Sequence, residues 1–143
     1  MAGGSGNLVV SAELRERLLL LATRISQSKG AVLFRHSDPV RGVFLICSGR
    51  VRLSLDGVDV AFPPRILGAG SVVGLPATVA GSPYSLTAQV VEDAELAFVP
   101  RDAVVDCLKQ NPQLCFEVMD MLSAEISGTR FALKKKGAAR RKS

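Results

Sequence analysis

Between Gly70 and Val90 the chain reads GSVVGLPATVAGSPYSLTAQV, and this is where its residue types and spacing point to ligand chemistry. Gly70 and Gly74, four apart, lead into a short segment. A loop follows at Ala80, Gly81, Ser82 and Pro83, and then a strand-like run from Tyr84. A glycine-hinged loop of this kind offers backbone N–H groups to an anion, but burying an anion also needs a paired cation. Tyr84 offers a hydroxyl and no charge, and Pro76 removes one N–H from the loop. The neutral hydroxyls of Thr78, Ser82, Ser85 and Thr87 are substitutes. Missing a charge-assisted contact of this type costs about 2–5 kcal/mol of binding. The candidate pocket is Gly74, Leu75, Pro76, Ala77, Thr78, Tyr84, Ser85 and Leu86. It suits an apolar or neutral ligand held by Leu75, Tyr84 and Leu86, or no ligand, with its own side chains filling it.

Other chemistry-bearing residues are sparse. His36 is the single histidine and lies in a turn, so no His-rich metal site is available. Cys47, Cys107 and Cys115 lack C-x-x-C spacing, and an all-cysteine iron–sulfur site needs four ligands. Apolar positions make all three core residues before reactive ones. No metal or other cofactor is expected. No G-x-S-x-G or Walker motif occurs, and no histidine lies near a candidate nucleophile in sequence. The chain is expected not to be an enzyme.

The elements that must position the loop follow from periodicity. Ser11 is a candidate N-cap for a first helix, with Leu14, Leu18, Leu21 and Ile25 on one face. From Ala31 the period changes to two: Ala31–Arg35 and Val43–Cys47 are short apolar strands around the turn at residues 36–39. Gly49 breaks the chain before the alternating Arg50–Leu55. Asp56-Gly57 predicts a two-residue hairpin turn that pairs Leu55 with Val58, Leu53 with Val60 and Val51 with Phe62. Further strands are expected at Arg65–Leu67, Ser71–Val73, Tyr84–Val90 and Ala94–Val99, which together argue for a small antiparallel barrel or sandwich. After Pro100 the pattern is helical, with a short helix through Lys109, a restart at Asn111-Pro112 and a last helix to about Leu133.

This order, with several local motifs, resembles the cyclic nucleotide-binding domain family. The motifs are Leu33–Pro39, with Ser37 where glycine is usual; Val43–Leu55; the pair Gly70 and Gly74; Leu96–Asp102; and Asn111-Pro112. The resemblance covers about residues 11–132. It implies an antiparallel β-roll (a double-stranded, jelly-roll-like β-helix) with flanking helices and a long C-terminal helix. It also implies that the Gly70–Val90 stretch is the family's phosphate-binding cassette. In the family a glutamate follows the second glycine and holds the ribose, and an arginine about ten residues on pairs with the cyclic phosphate. Leu75 and Tyr84 stand there instead. Cyclic AMP or cyclic GMP is therefore not the expected ligand, although the scaffold for it is retained.

The relatives most like it are the sensor halves of cyclic-AMP receptor and FNR-type transcription regulators, in which the long helix dimerises and a helix-turn-helix domain follows. The resemblance implies a homodimer through the helix at about 112–133, with Val118, Leu122 and Ile126 as the seam. Residues 1–10 are expected to be a flexible start, 11–133 the domain and 134–143 a tail. The chain is a stand-alone sensor domain or a fragment.

Composition bounds the rest. With 143 residues and 48% hydrophobic content the chain is one globular domain. The net charge of +5 is misleading, because Arg130, Lys134, Lys135, Lys136, Arg140, Arg141 and Lys142 carry seven of the 18 basic residues and no acid accompanies them. The remainder is slightly acidic, so any nucleic-acid contact belongs to the tail and lacks sequence preference. The aromatic share of 5%, without Trp, argues against a reader built on stacked bases. No apolar run is long enough to span a bilayer, and the odd, unclustered cysteines suit a reducing, cytoplasmic setting.

Overall fold

The computed structural model describes residues 9–55 and 64–122. Its elements in chain order are α1 (Ala12–Leu21), β1 (Thr23–Gln27), β2 (Val32–Phe34), β3 (Gly42–Ser54) and β4 (Arg65–Leu67). Then come β5 (Val72–Val73), α2 (Leu75–Ala80), β6 (Thr87–Pro100) and α3 (Arg101–Gln110), followed by α4 over 112–122.

Two long strands organise the sheet. β3 and β6 pair antiparallel from Gly42↔Pro100 to Ser54↔Thr87, with register shifts between Ile46 and Val51. The shorter strands add to the free edges of this pair. β1 and β2 lie along opposite halves of β6, and β5 and β4 along opposite halves of β3. The result is an antiparallel roll, with the helices packed on one end.

The sequence of β3 explains its two-part environment. In its first half, Phe44 and Ile46 face the roll interior, while Val43 and Leu45 join the cluster that contains Leu14, Leu18, Val104 and Leu108. Both faces are buried there, so the sequence is continuously apolar. In the second half only Val51 and Leu53 turn inward and Arg50 and Arg52 do not, so apolar and polar residues alternate. β6 repeats this logic, with Leu96 inside the roll and Ala97 and Val99 under the helices.

Four expectations are corrected. Gly49 does not break the strand. It bends it, with φ +87, where an added Cβ would lie 2.4 Å from the Asp93 carbonyl oxygen and 2.6 Å from Ala94 Cα. A glycine at a bulge allows this close approach. The runs Tyr84–Val90 and Ala94–Val99 are one strand beginning at Thr87, because pairing to β3 continues through Arg50↔Glu92 although the alternation lapses at the exposed Glu92 and Asp93.

The hairpin register also differs. Val51 pairs with Leu67 and Leu53 with Arg65 on one edge of β3, and with Val90 and Ala88 on the other. A strand has two hydrogen-bonding edges, and at Val51 and Leu53 both edges of β3 are occupied. Residues 56–63 themselves lie outside the described residues.

The first helix is shorter than its apolar spacing suggests. Ser11 caps it as expected, its hydroxyl accepting the Leu14 N–H at 3.1 Å, and Glu117 on α4 accepts from both the N–H and the hydroxyl of Ser11. Ile25 lies in β1 opposite Leu96 and packs on the roll interior. β-branched Thr23 and Ile25, with polar residues between them, favour a half-buried strand.

Candidate ligand cassette

The cassette begins where β5 ends. Gly74 has φ +89, and a Cβ there would sit 3.1 Å from both the Gly42 carbonyl oxygen and Tyr84 Cε1. Glycine is required because the loop passes directly over that ring. α2 starts at the next residue, with Pro76 in its first turn. Proline is tolerated there because its missing N–H would have no intrahelical acceptor. Thr78 is completely buried, and both its N–H and its hydroxyl donate to the Gly74 carbonyl, at 3.1 and 2.8 Å. Its hydroxyl is thus engaged within the loop.

Tyr84 is buried, and its hydroxyl is fully used. It accepts the backbone N–H groups of Arg41 and Gly42, each at 3.1 Å, and donates to the Gly42 carbonyl at 2.7 Å. Its own backbone pairs with the β2–β3 turn: the Ser37 N–H donates to its carbonyl at 2.8 Å, and its N–H donates to the Asp38 carbonyl at 3.0 Å. Ser37, at the position where glycine was expected, has φ +77. Tyr84 therefore anchors the cassette to the loop before β3.

Leu75 and Tyr84 do not meet. Leu75 belongs to the cluster under the helices with Leu14 and Leu18, whereas Tyr84, Ala77 and the partly buried Leu86 belong to the roll interior. Pro76 and Ser85 are exposed. A single neutral site framed by Leu75, Tyr84 and Leu86 is thus not assembled. Among the described residues every buried side-chain nitrogen or oxygen has a hydrogen-bond partner, so none is left orphaned for a ligand to satisfy.

Sequence reasoning missed Arg101. Its Nε donates to the Thr78 carbonyl at 2.9 Å, and its guanidinium lies where a Cβ on Gly81 would fall, 2.8 Å from Nη2. Its backbone N–H donates to the Arg41 carbonyl at 2.9 Å. One residue thus ties the end of α2 and the loop before β3 to the start of α3. The available signal was its position: a cation in the first turn opposes the helix dipole and needs another partner.

The remaining candidates are placed as follows. His36 is exposed, its ring Nδ1 3.2 Å from the Ser37 hydroxyl, and its backbone N–H donates to Thr87 Oγ1. The three cysteines are free, and burial pushes the Cys107 thiol above its ordinary pKa, with the charge of Arg17 offsetting part of that rise. No group of His, Cys, Asp or Glu among the described residues is arranged to hold a metal ion.

Val118 is only 2% exposed and packs with Leu114, Met121 and Leu14 of its own chain, and Leu122 is partly buried against the same cluster. The expected seam therefore faces inward at these two positions. The exposed apolar residues of α4 are Phe116, at 66%, and Met119, at 54%. Ile126 and the basic tail (Lys134, Lys135, Lys136, Arg140, Arg141, Lys142) lie outside the described residues.

Comparison with known proteins agrees with this architecture. The family pattern described as "Cyclic nucleotide-binding domain" matches residues 24–111. The chain is 30% identical to the "Anaerobic regulatory protein" of Bacillus subtilis, over 82% of this chain and 50% of that protein. It is 25% identical to the "Lysophospholipase nte1" of Neurospora crassa, over 80% of this chain but 8% of that protein. The solved catabolite activator protein of Thermus thermophilus superposes with a TM-score of 0.74 at 21% identity, covering 90% of this chain and 61% of that one. The chain spans half or less of the curated relatives it matches. Among the described residues no helix is long and apolar enough to cross a membrane.

Proposed function

The chain belongs to the cyclic nucleotide-binding domain family, and from that premise we propose that it acts as a non-catalytic regulatory domain whose cassette serves as a fixed structural link. The single observation that carries this reading is the Tyr84 hydroxyl, held by the backbone of Arg41 and Gly42 at the place where the family has its phosphate-binding arginine. A Tyr in that position gives the cassette three hydrogen bonds to the roll and no charge for a cyclic phosphate. The regulatory role draws on the Bacillus subtilis relative, whose name states one, and on the absence of a catalytic motif from the sequence. Three free cysteines suit a cytoplasmic setting.

Isothermal titration with cyclic AMP and cyclic GMP at physiological ionic strength tests this reading. Binding is expected to be weaker than micromolar. Micromolar or tighter affinity for either nucleotide would sink it. Native mass spectrometry of the purified protein then separates an empty scaffold from one that carries another ligand.

A second part of the proposal concerns assembly. Phe116 and Met119, three apart on α4, form one exposed apolar face on a helix whose other side is packed on the domain. Homodimerisation through this face replaces the seam expected at Val118 and Leu122. Arg101 ties the cassette to the start of α3, the helix that precedes α4 in the chain.

A further inference from the structure

A recess lies away from the Tyr84 anchor, between α1, β1 and the middle of β3. It has a volume of about 290 Å³, and its lining includes Arg15, Leu19, Arg24, Leu45, Cys47 and Gly70. Arg15 and Leu19 sit four apart on one face of α1, and Arg24 comes from β1. Both arginines are exposed, and neither guanidinium has a hydrogen bond or ion pair among the described residues. No acid is among the lining residues. Leu19 and Cys47 are partly buried and supply apolar surface below the two cations.

The wall is held in place without any ligand. The Gly70 N–H donates to the Ile46 carbonyl, the Ile46 N–H to the Ser71 carbonyl, and the Val10 N–H to the Gly70 carbonyl, at 2.9, 2.9 and 3.2 Å. A pre-formed recess loses little to ordering when it is filled. Its volume is at the small end for ligand pockets, which suits a short organic molecule. Guanidinium groups match the planar fork of a carboxylate.

We infer that this recess binds a short-chain carboxylate, with the carboxylate at Arg15 and Arg24 and the aliphatic body over Leu19 and Cys47. The inference is independent of the cassette, so its failure leaves the regulatory reading where it stands.

Cys47 serves as a built-in reporter. Its thiolate sulfur forms a bond to the reagent carbon as iodide leaves, with anionic iodoacetate or with neutral iodoacetamide. Peptide mapping of the full chain gives both rates at Cys47 and, as reference, at the partly buried Cys115. Two cations beside the thiol should raise the iodoacetate-to-iodoacetamide ratio at Cys47 about fivefold over that at Cys115. The double variant Arg15→Gln/Arg24→Gln should bring that ratio down to the value at Cys115. Hexanoate should slow iodoacetamide at Cys47 but not at Cys115, and neither hexanol nor inorganic phosphate should match it. Equal ratios at the two thiols, or a ratio indifferent to the double variant, overturn the inference. Equal protection by hexanol or by phosphate also overturns it, because apolar or electrostatic attraction alone would then explain the effect. Where Cys47 resists both reagents, hexanoate titration followed by the amide resonances of Arg15 to Arg24 decides: saturable shifts support the site, and their absence removes it.

Discussion

The ring of Tyr84 lies face to face with that of Phe34, with centroids 3.8 Å apart and planes 9° from parallel. Phe34 ends β2 and Tyr84 closes the cassette loop, so the pair joins two segments fifty residues apart inside the roll. Stacking contributes about 0.5–1.5 kcal/mol beyond the area buried. It also sets the ring so that its hydroxyl reaches Gly42.

Replacing Tyr84 by Phe keeps the stack and removes the hydroxyl. The N–H groups of Arg41 and Gly42 then lose their shared acceptor. Tyr84→Phe should destabilise the protein by about 1–3 kcal/mol, the usual cost of leaving buried polar groups unpaired. Urea unfolding checks this, with the slope unchanged because the same surface is exposed on unfolding. An unaltered midpoint would mean that the hydroxyl anchors nothing.

Arg101→Ala should loosen α2 without unfolding the roll. The carbonyl of Thr78 loses its donor, and the guanidinium beside Gly81 is gone. Amide hydrogen exchange should speed up at Gly81 and Ser82, whose N–H groups both donate to the Ala77 carbonyl, while Val43 to Leu45 exchange as before. Equal protection in both proteins would remove Arg101 as the link.

Phe116→Glu and Val118→Asp should part company. The first places a charge on an exposed position and should give a folded monomer. The second puts an unpaired carboxylate among Leu14, Leu114 and Met121 and should cost about 3 kcal/mol or more of stability. Analytical ultracentrifugation and thermal melts read the two effects. A Phe116→Glu protein that still dimerises would move the interface elsewhere.

Cys107 should be alkylated more slowly than Cys115 near neutral pH, because burial keeps it a thiol. Its folded pKa is raised, so the stability it contributes is fully present below the unfolded value and is lost as pH rises through the folded one. Stability should therefore decline on the alkaline side, and Cys107→Ala should flatten that decline. Denaturation across an alkaline pH series, with Cys107 mapped by mass spectrometry, measures both.

The sequence by itself determined the kind of fold. The switch from helical to two-residue period, the apolar run at Val43–Ile46 and the glycine-proline punctuation are local signals, set by which faces of a segment must be buried. Ser11 as a cap and the absence of a charged side chain from residues 70–90 were legible for the same reason: a residue's type limits what it can donate or accept. Tertiary structure decided the rest. The hairpin at Asp56-Gly57 obeyed every local rule, yet its partner positions on β3 are taken by Arg65 and Leu67 on one edge and by Ala88 and Val90 on the other. Strand pairing is a competition between distant segments, and turn chemistry does not record who wins it. The stripe Val118–Leu122 had the spacing of an interface, but apolar spacing does not say whether the surface it meets belongs to the same chain. Leu75 and Tyr84, nine residues apart, fall into different cores because a short helix and a turn separate them. Where the cassette side chains lie therefore depends on where those turns point them, and so on the packing of the whole roll.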